Sequence, residues 1–143
     1  MVDVVRRFTV SQPVDVVVDY LADFSHAPEW DPGTQSCTRI DDGPVAVGAR
    51  WHNVSKVLGR QTELTYRLDT LEPGHVVLVG ENDTATSTDD IRVEAAEGGS
   101  EVTYHARIEL HGVAKLGAPV IKIEFERLGT ATVEQLTAAL NAL

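Results

Sequence analysis

The sequence FTVSQP at residues 8–13 leads into VDVVVDYLADF at residues 14–24 and then into PEWDP at residues 28–32. The first segment predicts the end of a strand, with Ser11 as a helix N-cap and Pro13 in the first helical turn. The second segment places apolar residues three and four positions apart, with acidic residues mostly opposite, which is the pattern of a short amphipathic helix. The chain therefore opens with a strand, a short surface helix and a tryptophan in a turn that prolines bracket.

The central part of the chain, residues 34 to 111, has the alternating pattern of antiparallel strands. A two-residue type II′ turn at Gly59-Arg60 predicts a hairpin in which Lys56 lies opposite Glu63. That register sets opposite charges against each other on one face, which is typical of a half-buried antiparallel pair. The other face then holds the inward-pointing residues of both strands: Trp51, Asn53, Ser55, Val57, Thr62, Leu64, Tyr66 and Leu68.

A second hairpin is predicted around Gly98-Gly99 by the same argument, with Asp90 opposite Arg107 on the outer face. Because a one-residue slip would turn every side chain to the other face, the pattern indicates which face is buried. The strand at residues 76–80 is apolar on both sides, so its register is not fixed. The inner face of the second hairpin carries Ser87, Asp89, Ile91, Val93, Ala95, Val102, Tyr104, Ala106, Ile108 and Leu110.

After Gly112 the apolar period becomes helical again, and Pro119 suits an early helical turn. A helix from Pro119 to Leu143 would be roughly 35 Å long, enough to cross the sheet. Gly129 interrupts this helix, either to allow close approach of the sheet or as a tolerated surface glycine. One helix face carries residues spaced three or four apart: Ile121, Phe125, Leu128, Thr132, Leu136, Ala139 and Leu143.

The composition excludes several classes of protein. The 143 residues predict one domain over residues 1–143, and the formal net charge of −10 argues against nucleic acid or an anionic membrane as the partner. No apolar run is long enough to span a bilayer, and no apolar signal-peptide segment follows Met1. The lone Cys37 excludes an internal disulfide, is expected to be inert, and fits a cytoplasmic location. No metal-ligand spacing or nucleotide-binding motif is present, so we expect neither a metal nor a cofactor, and both monomer and homodimer stay open.

Five segments carry a family resemblance: residues 8–13, residues 24–32, VGAR at residues 47–50, LEP at residues 71–73 and GGSEVTY at residues 98–104. Together they resemble the START/Bet v 1-like (SRPBCC) superfamily, in particular its polyketide cyclase/dehydrase branch, over essentially the whole chain. The resemblance implies an α+β helix-grip fold. In this fold a curved antiparallel sheet of about seven strands, with two short helices after the first strand, closes around a cavity under a long C-terminal helix. Members include aromatic polyketide cyclases and carriers of lipids and hormones, so the resemblance identifies a fold rather than a reaction.

The predicted inner face carries small and polar side chains where a filled core would carry large apolar ones. We therefore predict a partly wet cavity between sheet and long helix, rather than a core with a few hydrogen-bonded polar groups. A small hydrophobic or aromatic molecule, lipid or polyketide-like, is the partner that we expect there. Trp30 could form a lip over the cavity mouth, but we favour a role in anchoring the short helices. The predicted ligand contacts are Trp51, Asn53, Ser55, Leu64, Tyr66, Asp89, Ile91, Tyr104, Ile108, Phe125 and Leu128.

Asp89 is the sharpest candidate for chemistry, because an inward carboxylate beside Ile91 and Ile108 would have a raised pKa and could act as acid or base. The alternative is that Asp89 lies near a strand end or bulge and meets water. Since strand ends are poorly fixed by sequence, we favour that alternative. Tyr66 and Tyr104 could donate hydrogen bonds to a ligand carbonyl or enolate, or simply line the pocket.

Three functions are compatible with these residues, and ligand binding ranks first. The second, implied by the resemblance, is a cofactor-free aldol-type ring closure and dehydration of a polyketone. Asp89 would then be the base, and Tyr66 or Tyr104 the donor to the enolate. The third is a protein-interaction role with an unused cavity, which a large exposed apolar patch would favour.

Overall fold

The computed structural model describes residues 1–143 as one seven-stranded antiparallel sheet with three α-helices. The strands are β1 (Val2–Val10), β2 (Thr34–Arg39), β3 (Arg50–Val57), β4 (Arg60–Glu72), β5 (His75–Glu81), β6 (Ala85–Ala96) and β7 (Gly99–Leu110), and the helices are α1 (Val14–Ala22), α2 (Ala27–Trp30) and α3 (Ala118–Asn141). Short 3-10 helices lie at Phe24–His26 and Gly112–Gly117. The strands are ordered β1-β7-β6-β5-β4-β3-β2 across the sheet. The predicted α+β helix-grip fold is confirmed.

The β3–β4 hairpin has the predicted faces but not the predicted register. Val57 pairs with Arg60, so the turn residues are Leu58 and Gly59, and Lys56 lies opposite Gln61 instead of Glu63. Both turn residues have positive φ, 53° for Leu58 and 76° for Gly59, which is the type I′ conformation that suits strand twist. The prediction of a Gly-first turn was therefore wrong: the turn begins one residue earlier, which shifts the pairing partner of each β3 residue by two.

The β6–β7 hairpin shows the same displacement. Ala96 pairs with Gly99, which leaves Glu97 and Gly98 as the turn, and Asp90 lies opposite His105. Gly98 has a φ of 79° and occupies the second turn position, where glycine adopts positive φ without steric cost. The predicted partner of Asp90, Arg107, now lies diagonally across the pair, with its Nη2 3.7 Å from an Asp90 carboxylate oxygen.

The N-cap of helix α1 lies two residues after the predicted one. Pro13 occupies the N-cap position, with no side-chain cap. Ser11 instead bonds to the far end of α3, where its backbone N–H and its hydroxyl both donate to Oδ1 of Asn141, at 2.8 and 3.0 Å. The expectation that Ser11 caps α1 was wrong, because a more distant partner takes its hydrogen bonds.

Helix α3 crosses the inner side of the sheet and contacts β1 and α2. It packs closely on β1 at Gly129, where an added Cβ would lie 3.1 Å from Cγ2 of Val4. The glycine therefore permits close packing, which was one of its two predicted roles. No helix of the chain combines the length and the apolar character needed to cross a bilayer.

The core lies at the α1 and α2 end of the inner face, where α2 and the 3-10 helix before it insert two aromatic rings. Phe24 contacts Trp30 edge-on at 5.9 Å between ring centroids and Tyr66 at 4.4 Å, and Trp30 contacts Tyr104 at 6.1 Å. Trp30 is fully buried. The predicted anchoring role of Trp30 is confirmed, and this side chain does not form a lip.

Candidate functional site

A two-chambered cavity lies between the sheet and the first half of α3. The inner chamber has a volume of about 60 Å³ and the outer chamber of about 380 Å³. The outer chamber falls within the range of small-molecule sites, which begins near 300 Å³. Exposed residues Leu58, Arg60 and Thr84 on its wall mark the mouth. Five residues line both chambers, and the boundary that they form between the chambers is called the passage: Asp31, Tyr66, Ser87, Phe125 and Leu128.

Asp89 lies in the middle of β6, where it pairs with Ala106 of β7 and Leu78 of β5. Its side chain lines the inner chamber and is 5% exposed. The hydroxyl of Tyr104 donates to Oδ1 of Asp89 at 2.6 Å, while Oδ2 receives no hydrogen bond from the protein. The preference for a solvent-facing Asp89 at a strand end was wrong, because β6 continues seven residues beyond it to Ala96.

The surroundings of Asp89 set its protonation near neutral pH. Burial raises the pKa of the Asp89 carboxyl, the nearby Asp31 carboxylate raises it further, and the hydrogen bond from Tyr104 lowers it, which together bring this pKa to about 7. The inner chamber has no lysine, arginine or histidine on its wall to restore the charged form. Asp89 can therefore exchange a proton at physiological pH, which is the property that a general acid or base needs.

Asp31 is the functional candidate that the sequence analysis missed. It follows α2 and points its carboxylate toward the passage, where Oδ2 accepts from the Thr34 hydroxyl at 2.8 Å and Oδ1 from the Gly33 N–H at 3.2 Å. Burial raises the pKa of Asp31, and these two hydrogen bonds oppose that rise. An Asp-Pro-Gly-Thr segment is a recognisable side-chain-capped turn. That signal could have found the turn, but not its position beside Asp89.

The two tyrosines face the inner chamber as neutral phenols. Burial, together with the Asp89 and Asp31 carboxylates, raises the pKa of Tyr66 and of Tyr104 well above the ordinary value. The Tyr66 ring lies directly over Gly80 of β5, where an added Cβ would clash with the ring carbon Cε2. Both hydroxyls therefore keep their protons at neutral pH: that of Tyr104 donates to Asp89, and that of Tyr66 is available as a donor to a ligand.

The remaining predicted contacts divide between the cavity and the core. Ser55, Leu64 and Ile108 line the outer chamber, and Phe125 and Leu128 line both chambers. Trp51, Asn53 and Ile91 line neither chamber and are fully buried in the core.

Two buried polar groups beside the cavity serve the fold. The amide of Asn53 donates to the Thr34 hydroxyl at 3.1 Å, and its oxygen accepts from the Ser55 hydroxyl. Burial raises the pKa of the Cys37 thiol to about 12, so Cys37 carries no thiolate at neutral pH. Neither group is therefore a candidate for chemistry.

Comparison with protein families gives one match over nearly the whole chain. A sequence model described as "Polyketide cyclase / dehydrase and lipid transport" matches residues 1–141. No curated protein matches the chain in sequence.

Solved structures with low sequence identity share the fold. The Zhui aromatase/cyclase from Streptomyces sp. R1128 superposes with a TM-score of 0.78 at 15% identity, covering 96% of this chain and 92% of that chain. A START superfamily protein from Mycobacterium smegmatis superposes with a TM-score of 0.72 at 13% identity, covering 98% and 94%. The di-domain aromatase/cyclase BexL of the BE-7585A biosynthetic pathway superposes with a TM-score of 0.69 at 11% identity, covering 99% of this chain and 50% of that chain. At these identities the likeness shows the fold alone.

Proposed function

The chain belongs to the polyketide cyclase/dehydrase and lipid transport family, and from that premise we propose that it binds a small, largely apolar or aromatic molecule in the two-chambered cavity. The observation that carries the proposal is the outer chamber of about 380 Å³, which is open to solvent and lies between sheet and α3. A solid core would have filled this space with large apolar side chains.

Binding would come from burial of the ligand's apolar surface in the outer chamber. Leu64 from β4, Ile108 from β7 and Phe125 from α3 supply apolar walls from three directions. The polar end of the ligand would enter the inner chamber, where the side chains of Asp89, Tyr66 and Ser87 supply donors and acceptors. A few such groups are enough to set a ligand's orientation.

The test is titration with N-phenyl-1-naphthylamine, a neutral aromatic dye whose fluorescence rises in apolar surroundings. We expect saturable binding, and a loss of affinity of about tenfold or more in Leu128→Trp, because tryptophan would fill the passage between the chambers. Val120→Trp is the matched control, since it places the same side chain at an exposed position of α3. Dye binding that is absent, or equal in both variants, would contradict the proposal.

A second candidate function is the aldol-type ring closure and dehydration of a bound polyketone, and the observation that favours it is the Asp89–Tyr104 pair. Asp89 as carboxylate would take a proton from a carbon between two carbonyl groups, and the resulting enolate would attack a second carbonyl carbon to form the new C–C bond. Protonated Asp89 would return its proton to the alkoxide. Removal of a second α-proton and departure of the hydroxyl group as water would complete the dehydration. A hydrogen bond from Tyr66 or Tyr104 would stabilise the enolate.

This second candidate is tested with a synthetic poly-β-ketone thioester and detection of the cyclised product. Asp89→Asn should abolish turnover above the spontaneous rate while the affinity for the naphthylamine dye is kept. Product formation by Asp89→Asn at the wild-type rate would remove Asp89 from the chemistry.

A further inference from the structure

We propose that the ligand carries a protonated amine, which enters the inner chamber and binds to the free carboxylate oxygen of Asp89. This inference rests on the proposed binding function, since it names the chemistry of the molecule that occupies the same cavity. It concerns the polar end of the ligand and requires no catalytic step.

The first support is an unused acceptor. Asp89 is 5% exposed, its Oδ1 is occupied by Tyr104, and its Oδ2 lines the inner chamber without a donor from the protein. This oxygen is not one of the fully buried polar atoms without a partner, so it is accessible from the cavity and a ligand N–H group could donate to it there. The site therefore calls for a donor on the ligand.

The second support is the sign of the charge. Asp89 and Asp31 both line the inner chamber, and no cationic side chain lines it. Arg60, exposed at the mouth, is the one lysine or arginine on the wall of the outer chamber. Arg6 of β1 lies behind Gly129 of the inner wall, where its charge is paired with Glu126 at 2.9 Å. Two carboxyl groups in a weakly polar chamber disfavour a ligand carboxylate or phosphate, and favour an ammonium group over a neutral hydroxyl.

The third support is the shape and lining of the inner chamber. At about 60 Å³ it admits an ammonium group with its adjoining methylene, while the apolar body of the ligand stays in the outer chamber. The aromatic rings of Tyr66, Tyr104 and Phe125 form part of its wall. Aromatic faces attract cations, so the wall adds to the preference. The chemical class that fits is an arylalkyl primary amine.

Binding of an amine would be coupled to proton release. Asp31 from the segment after α2, Tyr66 from β4 and Tyr104 from β7 are the titratable groups that line the chamber with Asp89. The lining residues of β1 and α3 are uncharged, and the Arg6–Glu126 ion pair joins these two elements behind Gly129. Without a ligand, Asp89 holds a proton for about half of the time near pH 7. An ammonium group would displace that proton by stabilising the carboxylate.

The test compares two molecules of the same shape, 2-naphthylmethylamine and 2-naphthylmethanol, as competitors of the bound dye. We expect the amine to bind about tenfold more tightly than the alcohol near pH 7.5, because a charged hydrogen bond is stronger than a neutral one. Asp89→Asn should bring the affinity ratio close to one. Asp90→Asn, which removes the neighbouring carboxylate on the outer face of β6, should leave the ratio unchanged.

A second measurement needs no variant and keeps the test valid if Asp89→Asn fails to fold. Calorimetric titration of the native protein in two buffers of different ionisation enthalpy should show release of a fraction of a proton with the amine and none with the alcohol. Equal or tighter binding of the alcohol, or no proton release with the amine, would overturn this inference and leave the binding function standing. Failure of the dye itself to bind would overturn both.

Discussion

The two halves of α3 differ in what they bury. In the second half, Leu136 and Leu140 are fully buried in the core. In the first half, Phe125 and Leu128 are only partly buried and line the cavity, and Ile123 on the outer side is 74% exposed. One continuous helix therefore stabilises the fold at one end and encloses a binding space at the other.

The boundary between the two halves is Gly129, where the helix packs against Val4 of β1. On one side of this contact the helix packs on the core, and on the other it covers the chambers. Stability and binding should therefore respond to different substitutions in the same helix. Four predictions follow from this difference, in order of decreasing effect.

The largest effect is expected from Leu136→Ala in the packed half. It should lower the free energy of unfolding by about 3 kcal/mol, because it leaves a void in a filled core. Leu128→Ala removes the same atoms from a residue that already borders an empty space, and should cost about 1 kcal/mol or less. Urea denaturation of both variants measures the difference. Equal losses would show that the two halves pack alike.

Asp89→Asn should stabilise the protein at high pH. The folded-state pKa of about 7 lies above the ordinary value of the unfolded chain, near 4, so folded protein retains a proton that the unfolded chain loses between these values. Stability of the native protein therefore falls as pH rises from about 4 to about 7. Below about pH 4 the variant and the native protein should have the same free energy of unfolding. Above about pH 7 that of the variant should be higher by on the order of 2 kcal/mol, about half of what a three-unit pKa shift contributes in full.

Urea denaturation at four pH values across this window measures the gain. Asp90→Asn serves as the control, because its carboxylate lies on the outer face beside His75 and Arg107. A gain that does not depend on pH would show that Asp89 titrates normally in the folded protein.

Asn141→Ala should weaken the attachment of the packed half. It removes the acceptor of both Ser11 hydrogen bonds, and should lower the free energy of unfolding by about 1 kcal/mol. Asn141→Asp keeps an acceptor oxygen at the same place and should retain most of the stability. Equal losses of unfolding free energy in the two variants would show that the acceptor oxygen at position 141 does not contribute to stability.

Glu124→Ala should have the smallest effect on stability and act on the open half. Glu124 accepts a hydrogen bond from the Leu58 N–H at 3.2 Å and one from Arg127 at 2.6 Å, and so joins the tip of the β3–β4 hairpin to α3 across the mouth. We expect a loss below about 1 kcal/mol, since the partners are largely exposed. Amide hydrogen exchange at Leu58 should become about tenfold faster, while Lys122→Ala leaves it unchanged. Unaltered exchange at Leu58 would show that the hairpin tip does not depend on α3.

The sequence predicted the faces of the sheet better than its registers. In both hairpins the observed pairing differs from the predicted pairing by two residues. A difference of two preserves every face, because side chains alternate with a period of two. The deciding feature in the first hairpin is the positive φ of Leu58, which is uncommon for a residue other than glycine. The preference of glycine for the first position of a type II′ turn therefore predicted Gly59-Arg60, whereas the observed strand pairing places the turn at Leu58-Gly59.

The candidate site was predicted in part for a related reason. Alternation identified Asp89, Tyr66 and Tyr104 as inward, but it could not tell which part of the inner face α1 and α2 would cover. Trp51 and Ile91 share that face and lie in the core, because the short helices pack at their end of the sheet. Asp31 lies in a turn with no periodicity, so only the path of the chain brings its carboxylate to the cavity.

Gly80 shows how the cavity could be reshaped from outside. It lines neither chamber, yet the Tyr66 ring lies over it and would have to move if position 80 carried any side chain. A displaced ring would carry its hydroxyl to a new place in the passage that joins the chambers. Exchanges at a position that no ligand touches could therefore alter which ligands the protein accepts, with every lining residue left the same.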